Sequence, residues 1–154
     1  MKITNLTGLP SAVVRAMEND AYSKDGADFT TSQLPNPPRA EALKFINPDS
    51  LQIDASSRCA AVLGQAIHTV LEKGHRPGID VIEKRYFGEF LGFKIGGKID
   101  LYQPDDKTLY EYKSCLANAF SGKNGGGKKF EWIAQASCNR LLMERSGVQV
   151  DRVV

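Results

Sequence analysis

The strongest periodic signal lies between residues 56 and 73, where Leu63, Ile67, Val70 and Leu71 recur at the spacing of one helical face. Gly74 and then Pro77-Gly78 end that helix. Three strand-like runs follow, over 80–87, 93–102 and 108–115, and the polar stretch Gln103-Pro104-Asp105-Asp106-Lys107 joins the last two as a hairpin. A second helix is predicted over 130–144 and closes at Ser146-Gly147, before a β-rich stretch over 148–154. The order α-β-β-β-α-β predicts an α/β protein with a central mixed β-sheet flanked by helices. The first third is less regular. Residues 10–17 read as a short helix with a Pro/Ser start, 29–34 as an extended piece, and 39–45 as one or two helical turns after Pro35, Pro37 and Pro38. One domain over 1–154 is therefore expected, with an irregular helical segment (1–50) packed on a core (56–154).

Composition narrows the class without naming a function. The 154 residues are 42% hydrophobic and 25% charged, which excludes a collagen-like, fully disordered or coiled-coil chain and leaves enough material for one sizeable core. No apolar run approaches the roughly 20 residues that span a bilayer. The N-terminus has no apolar segment of the secretory kind, so a cytoplasmic location is expected. Twenty Lys and Arg against 18 Asp and Glu give a net charge of +2. That is too small to imply nucleic acid from bulk charge, so any such partner must be read from a local site. Cys59, Cys115 and Cys138 form no CxxC pair and are expected to be small buried hydrophobes in a reducing compartment.

Strand periodicity locates the candidate chemistry. Over 93–102, Phe93, Ile95, Gly97, Ile99 and Leu101 share one face and Lys94, Gly96, Lys98, Asp100 and Tyr102 the other. On the next strand Leu109, Glu111, Lys113 and Cys115 share a face. A register that sets Asp100 against Glu111 would bring two carboxylates and an ammonium onto one patch. Clustered carboxylates repel unless they share a proton or a divalent metal. Mg²⁺ accepts one or two carboxylates plus water and phosphate oxygens. A neighbouring lysine can then orient or deprotonate a water, or stabilise charge on a phosphate. Taken alone, Glu111-Tyr112-Lys113 is better read as a solvated strand face with an ion pair.

The surrounding residues add a resemblance. Gly96-Gly97-Lys98-Ile99-Asp100, a hairpin, and then Leu109-Tyr110-Glu111-Tyr112-Lys113 resemble the PD-(D/E)XK nuclease superfamily. Gly64-Gln65-Ala66-Ile67-His68 is similar to the Gly-x-x-x-His motif of its RecB-like and phage exonuclease branch, and Gln135 matches the Gln of a downstream motif there. The stretch 29–43, with Pro37-Pro38-Arg39, is similar to the segment preceding that branch's His helix. This resemblance implies a restriction-endonuclease-like core and a DNA nuclease dependent on Mg²⁺ or Mn²⁺, with exonuclease preferred because of His68. Asp100, Glu111 and the Tyr112 carbonyl would hold the metal with His68, and Lys113 would position or activate water. Glu83 would be an additional acid, and Gln135 would contact substrate or order Lys113. A catalytically silent nucleic-acid-binding protein or a structure-specific endonuclease are the alternatives. DNA is the implied partner, with a homo-oligomer or phage recombination and replication partners as further ones, in the host cytoplasm if the chain is phage-encoded.

The resemblance has two departures. The family's Gln-x-x-x-Tyr stands here as Gln135-x-x-x-Asn139, and the chain stops at Val154 inside an expected strand, where relatives continue, so either a trimmed form or a minimal core lacking elements that grip DNA is expected. The glycine-rich stretch 122–128 satisfies most of a P-loop pattern, but Lys129 stands where Ser or Thr must bind Mg²⁺. Lys123, Lys128 and Lys129 instead read as a basic loop for DNA phosphates. Phe130 and Trp132 are expected in the core.

Overall fold

The computed structural model describes residues 2–20, 23–114 and 129–154. Among these the chain is mixed α/β, with four α-helices and three small sheets. In chain order the elements are β1 (Lys2–Thr4), α1 (Ser11–Glu18), β2 (Phe29–Thr30), α2 (Pro38–Ile46), β3 (Gln52–Asp54) and α3 (Cys59–Glu72). They continue with β4 (Val81–Ile82), β5 (Arg85–Phe90), β6 (Phe93–Lys98), β7 (Leu101–Gln103), β8 (Thr108–Tyr110), α4 (Phe130–Arg145) and β9 (Arg152–Val153). No helix among the described residues is long and apolar enough to cross a membrane.

A bent hairpin ties two of the sheets together. β5 pairs antiparallel with β6, Arg85 opposite Lys98, and β4 pairs antiparallel with β7, Ile82 opposite Leu101. Both ladders keep the same register, so β4–β5 and β6–β7 are the arms of one hairpin interrupted at Glu83-Lys84 and Ile99-Asp100. Two backbone bonds span the interruption, Glu83 N–H to Asp100 O (3.2 Å) and Ile99 N–H to Lys84 O (3.0 Å). β2 adds in parallel to β6, β8 lies antiparallel to β7, and β9 lies parallel to β8. The first two predicted strands are thus present but broken where Glu83 and Asp100 sit, and the alternation expected through 93–102 fails because Ile99 and Asp100 are both buried; the third, expected over 108–115, ends at Tyr110, so Glu111 and Lys113 follow it outside the strand.

The core forms where α4 crosses the hairpin. Tyr86, Ile95, Ile99, Tyr102, Leu109, Leu142, Met143 and Val150 make one buried cluster. Two glycines permit this close approach: a Cβ on Gly88 would come within 2.8 Å of Leu142 Cδ2, and one on Gly97 would overlap Asn139 Oδ1.

Several expectations need correction. The N-terminal third contributes three strands as well as helices, and β1 pairs with β3 in a separate parallel sheet. That link is fastened by Asp54, whose carboxylate accepts from Leu6 N–H (2.7 Å), Ser56 Oγ (2.7 Å) and Thr7 Oγ1 (3.3 Å). The apolar face of α3 is not core: Leu63 and Val70 are 61% and 63% exposed. The side of α3 turned to the sheets is the one bearing Gly64 and His68. Cys59 is exposed and Cys138 half-buried rather than in the core, and Cys115 lies outside the described residues. Phe130 is exposed and Trp132 half-buried, since α4 begins beyond the sheet it packs on.

Candidate functional site

The interruption in the hairpin gathers the acids. Its register sets Glu83 opposite Asp100, and the β7–β8 register, Leu101 against Tyr110, sets Asp100 opposite Glu111 one residue on. Three carboxylates therefore stand in a row where these ladders break off, Glu83 and Asp100 in the interruption and Glu111 directly after β8, and neighbouring strands are only about 4.8 Å apart. Glu83 has a φ of 50°, a left-handed conformation uncommon outside glycine, and residues held this way gather at functional sites.

Each carboxylate has its own partner. His68 Nδ1, delivered by α3, lies 3.3 Å from Asp100 Oδ1, and the Tyr112 N–H donates to Asp100 Oδ2 at 2.6 Å. The Tyr112 ring packs edge-on against the His68 imidazole, with centroids 6.0 Å apart, which limits how the imidazole can turn. Lys113 Nζ donates to Glu111 Oε2 at 3.2 Å, and Lys98 pairs with Glu83. The other Glu111 oxygen, Oε1, accepts from the side-chain amide of Asn139.

Burial dominates the electrostatics. Desolvation raises the pKa of Asp100 above the ordinary carboxylate range, opposed by His68, the Tyr112 N–H and Lys113. Glu111 is raised for the same reason, opposed first by Lys113 and pushed further up by Asp100. Both acids thus carry a cost for being charged, which a cation would offset.

The site opens onto a cleft of about 600 Å³. One wall is the small-residue side of α3 (Ala60, Ala61, Gly64), the other the segment Thr30 to Ser32. Arg85, Lys98, Lys113 and Gln135 complete the lining. Arg85 is tied to the 23–25 turn through Asp25 Oδ2 and the Ser23 carbonyl, both at 2.8 Å. On α3, a Cβ at Gly64 would come within 2.8 Å of Ser114 Oγ, so glycine there admits the end of the Lys113 segment beside His68.

Among the described residues, one group meets the geometric requirement for a metal. Ligand atoms of His68, Glu83 and Asp100 all lie within 4.8 Å of one another. An imidazole with two carboxylates is an oxygen-rich donor set suited to Mg²⁺ or Mn²⁺. Glu111 lies beside this group, held by Asn139 and Lys113.

His68, Glu83, Asp100, Tyr112, Lys113 and Gln135 thus border one cleft, with Glu111 beside it through Lys113. Lys129 caps the start of α4, its Nζ 5.3 Å from the Trp132 ring centroid, while Lys123 and Lys128 lie outside the described residues. Sequence reading missed Lys98, Arg85, Thr31 and the role of Asn139. The available signals were the Gly96-Gly97 pair inside a strand, which marks close approach, and an Asn one helical turn after Gln135. No protein-family model, no curated protein and no solved structure matches the chain.

Proposed function

We propose that this chain is a divalent-cation-dependent deoxyribonuclease on a restriction-endonuclease-like core, hydrolysing phosphodiester bonds in DNA, with exonucleolytic action preferred. The observation that carries the reading is the convergence of Glu83, Asp100 and His68 into one cation-sized group with Glu111–Lys113 beside it. A solvated strand face would have no reason to bury two of those acids or to hold Glu83 in a left-handed conformation.

His68, Glu83 and Asp100 would hold the cation together with Glu111 and the Tyr112 carbonyl. A bound Mg²⁺ or Mn²⁺ supplies an activated water and charge neutralisation at phosphate oxygens. Lys113, fixed by Glu111, presents an ammonium toward the cleft, where it orients the attacking water or steadies charge building on the phosphate. Lys98, which lines the cleft, offers an ammonium to flanking phosphates. Gln135 borders the same space.

The test is incubation with end-labelled linear single- and double-stranded DNA in Mg²⁺, Mn²⁺ and chelator, with Lys113→Ala alongside. Cation-dependent degradation that the variant loses is expected, and a ladder growing from the ends marks exonuclease action. Cleavage that survives both chelator and Lys113→Ala overturns the assignment. DNA binding without cleavage under any cation moves the chain to the catalytically silent alternative.

A further inference from the structure

Asn139 is 1% exposed, an unusual place for an amide unless each of its polar groups is used. All of them are. Its Oδ1 accepts from Thr31 Oγ1 at 2.7 Å, and its Nδ2 donates to Glu111 Oε1 and to the Lys98 carbonyl at 3.4 Å. A carboxylate and a carbonyl can only accept, so the amide must turn its nitrogen toward them, and the Thr31 hydroxyl locks that orientation from the far side. Glycine at 97 is what makes room, because a Cβ there would overlap Asn139 Oδ1 and sit 2.9 Å from Thr31 Cγ2. Segments distant in sequence, at 31, 97–98 and 139, are therefore committed to one carboxylate oxygen.

We infer that Asn139, oriented by Thr31, is a positioning residue for Glu111: it fixes Oε1 so that Oε2 is presented to Lys113. This rests on the nuclease reading above. It also assigns the departure from Gln-x-x-x-Tyr a role, since the residue one turn after Gln135 lies beneath the site, away from the cleft surface where it could contact DNA. Without the amide, Glu111 keeps only Lys113, a flexible partner, and both the carboxylate and the ammonium gain freedom. Partners of this kind change metal affinity or activity by roughly 10–100-fold when removed.

The experiment uses the full chain carrying Asn139→Ala, Thr31→Val or Thr31→Ser, each checked for fold by circular dichroism and held well below its melting temperature. Two readouts are taken: Mn²⁺ affinity by calorimetric titration, and the single-turnover rate on linear DNA, with DNA affinity measured in Ca²⁺. Asn139→Ala and Thr31→Val should each weaken Mn²⁺ binding and slow cleavage by roughly 10–100-fold while leaving DNA affinity unchanged. Thr31→Ser, which keeps the hydroxyl, should behave as the parent. A folded Asn139→Ala or Thr31→Val that binds Mn²⁺ and cleaves at the parent level overturns the positioning role and leaves the nuclease reading intact. If Asn139→Ala does not fold, the Val/Ser contrast at Thr31 decides alone, because each differs from Thr by one group. A parent protein that neither binds Mn²⁺ nor cleaves overturns both.

Discussion

Asp100 answers two opposed demands. Its carboxyl is buried against the hairpin interruption, which raises its pKa, yet the cation group needs it ionised. An acid whose folded-state pKa is raised penalises the fold above that pKa, and the penalty disappears as pH falls below the ordinary carboxylate value. Asp100→Asn keeps an acceptor for the Tyr112 N–H and removes the charge. The variant should therefore melt higher than the parent at pH 7, on the order of 2–4 °C for each kcal/mol relieved, and the gap should close near pH 4. A lower melting temperature at pH 7 would show that His68 and Lys113 already outweigh the burial. Asp54 has the opposite sign. Its bonds from Ser56, first by the hydroxyl, and from Leu6 N–H hold it at about 2 against an ordinary 3.8. Its contribution is present above the ordinary value and lost as pH falls through the folded one. Asp54→Asn should lower the melting temperature at pH 7, and the gap should narrow from about pH 4 toward pH 2 and vanish below it, as acid melts of the pair would reveal.

At the scale of elements, glycine placement decides how close α3 and α4 come to the hairpin, and the two cases differ. At Gly97 the space is filled by Thr31 and Asn139, both buried and hydrogen-bonded to each other, so neither can retreat. Gly97→Ala should cost about 1–3 kcal/mol, as overpacking of a closed core does, and thermal melts would register it. At Gly64 the obstructing atom is the Ser114 hydroxyl, on an exposed residue free to turn, so Gly64→Ala should change stability far less. Equal losses at the two positions would contradict this. The same elements set how much the sequence could disclose. The pairing of Glu111 with Lys113 was legible although β8 ends before both of them, and Asp100 was because a short polar hairpin fixes its register. The break at Glu83 was not, since nothing in Ile82-Glu83-Lys84 announces a left-handed residue. α3 misled for a related reason: its periodicity identifies an apolar face, but Gly64 and His68, not Leu63 and Val70, face the sheets. β1 and β3 are too short for any pattern to mark them, whereas β2 falls at the start of the extended piece expected over 29–34.

For the whole molecule, the site is the place where otherwise weakly connected parts meet. α3 supplies His68, the bent hairpin Glu83 and Asp100, the chain after β8 Glu111 and Lys113, and α4 Gln135 and Asn139. A cation held by His68, Glu83 and Asp100 would bridge α3 to the hairpin, and α3 has little other hold, with none of its residues fully buried. Binding should therefore be visible as global stabilisation. A ligand that binds only the folded state stabilises it by about 2.7 kcal/mol at one hundred times its dissociation constant. For a chain of this length that corresponds to a rise of roughly 5–11 °C in melting temperature. Mn²⁺ should produce a saturable rise of that order, reversed by chelator. His68→Ala should abolish most of it, because the remaining carboxylates lie on the hairpin alone and no longer join it to α3. A rise that persists in His68→Ala but vanishes in Glu111→Gln would place the cation on the Glu111 side of Asp100. No rise in the parent at millimolar Mn²⁺ would remove the cation from the site and leave the three aligned carboxylates without the partner their burial requires.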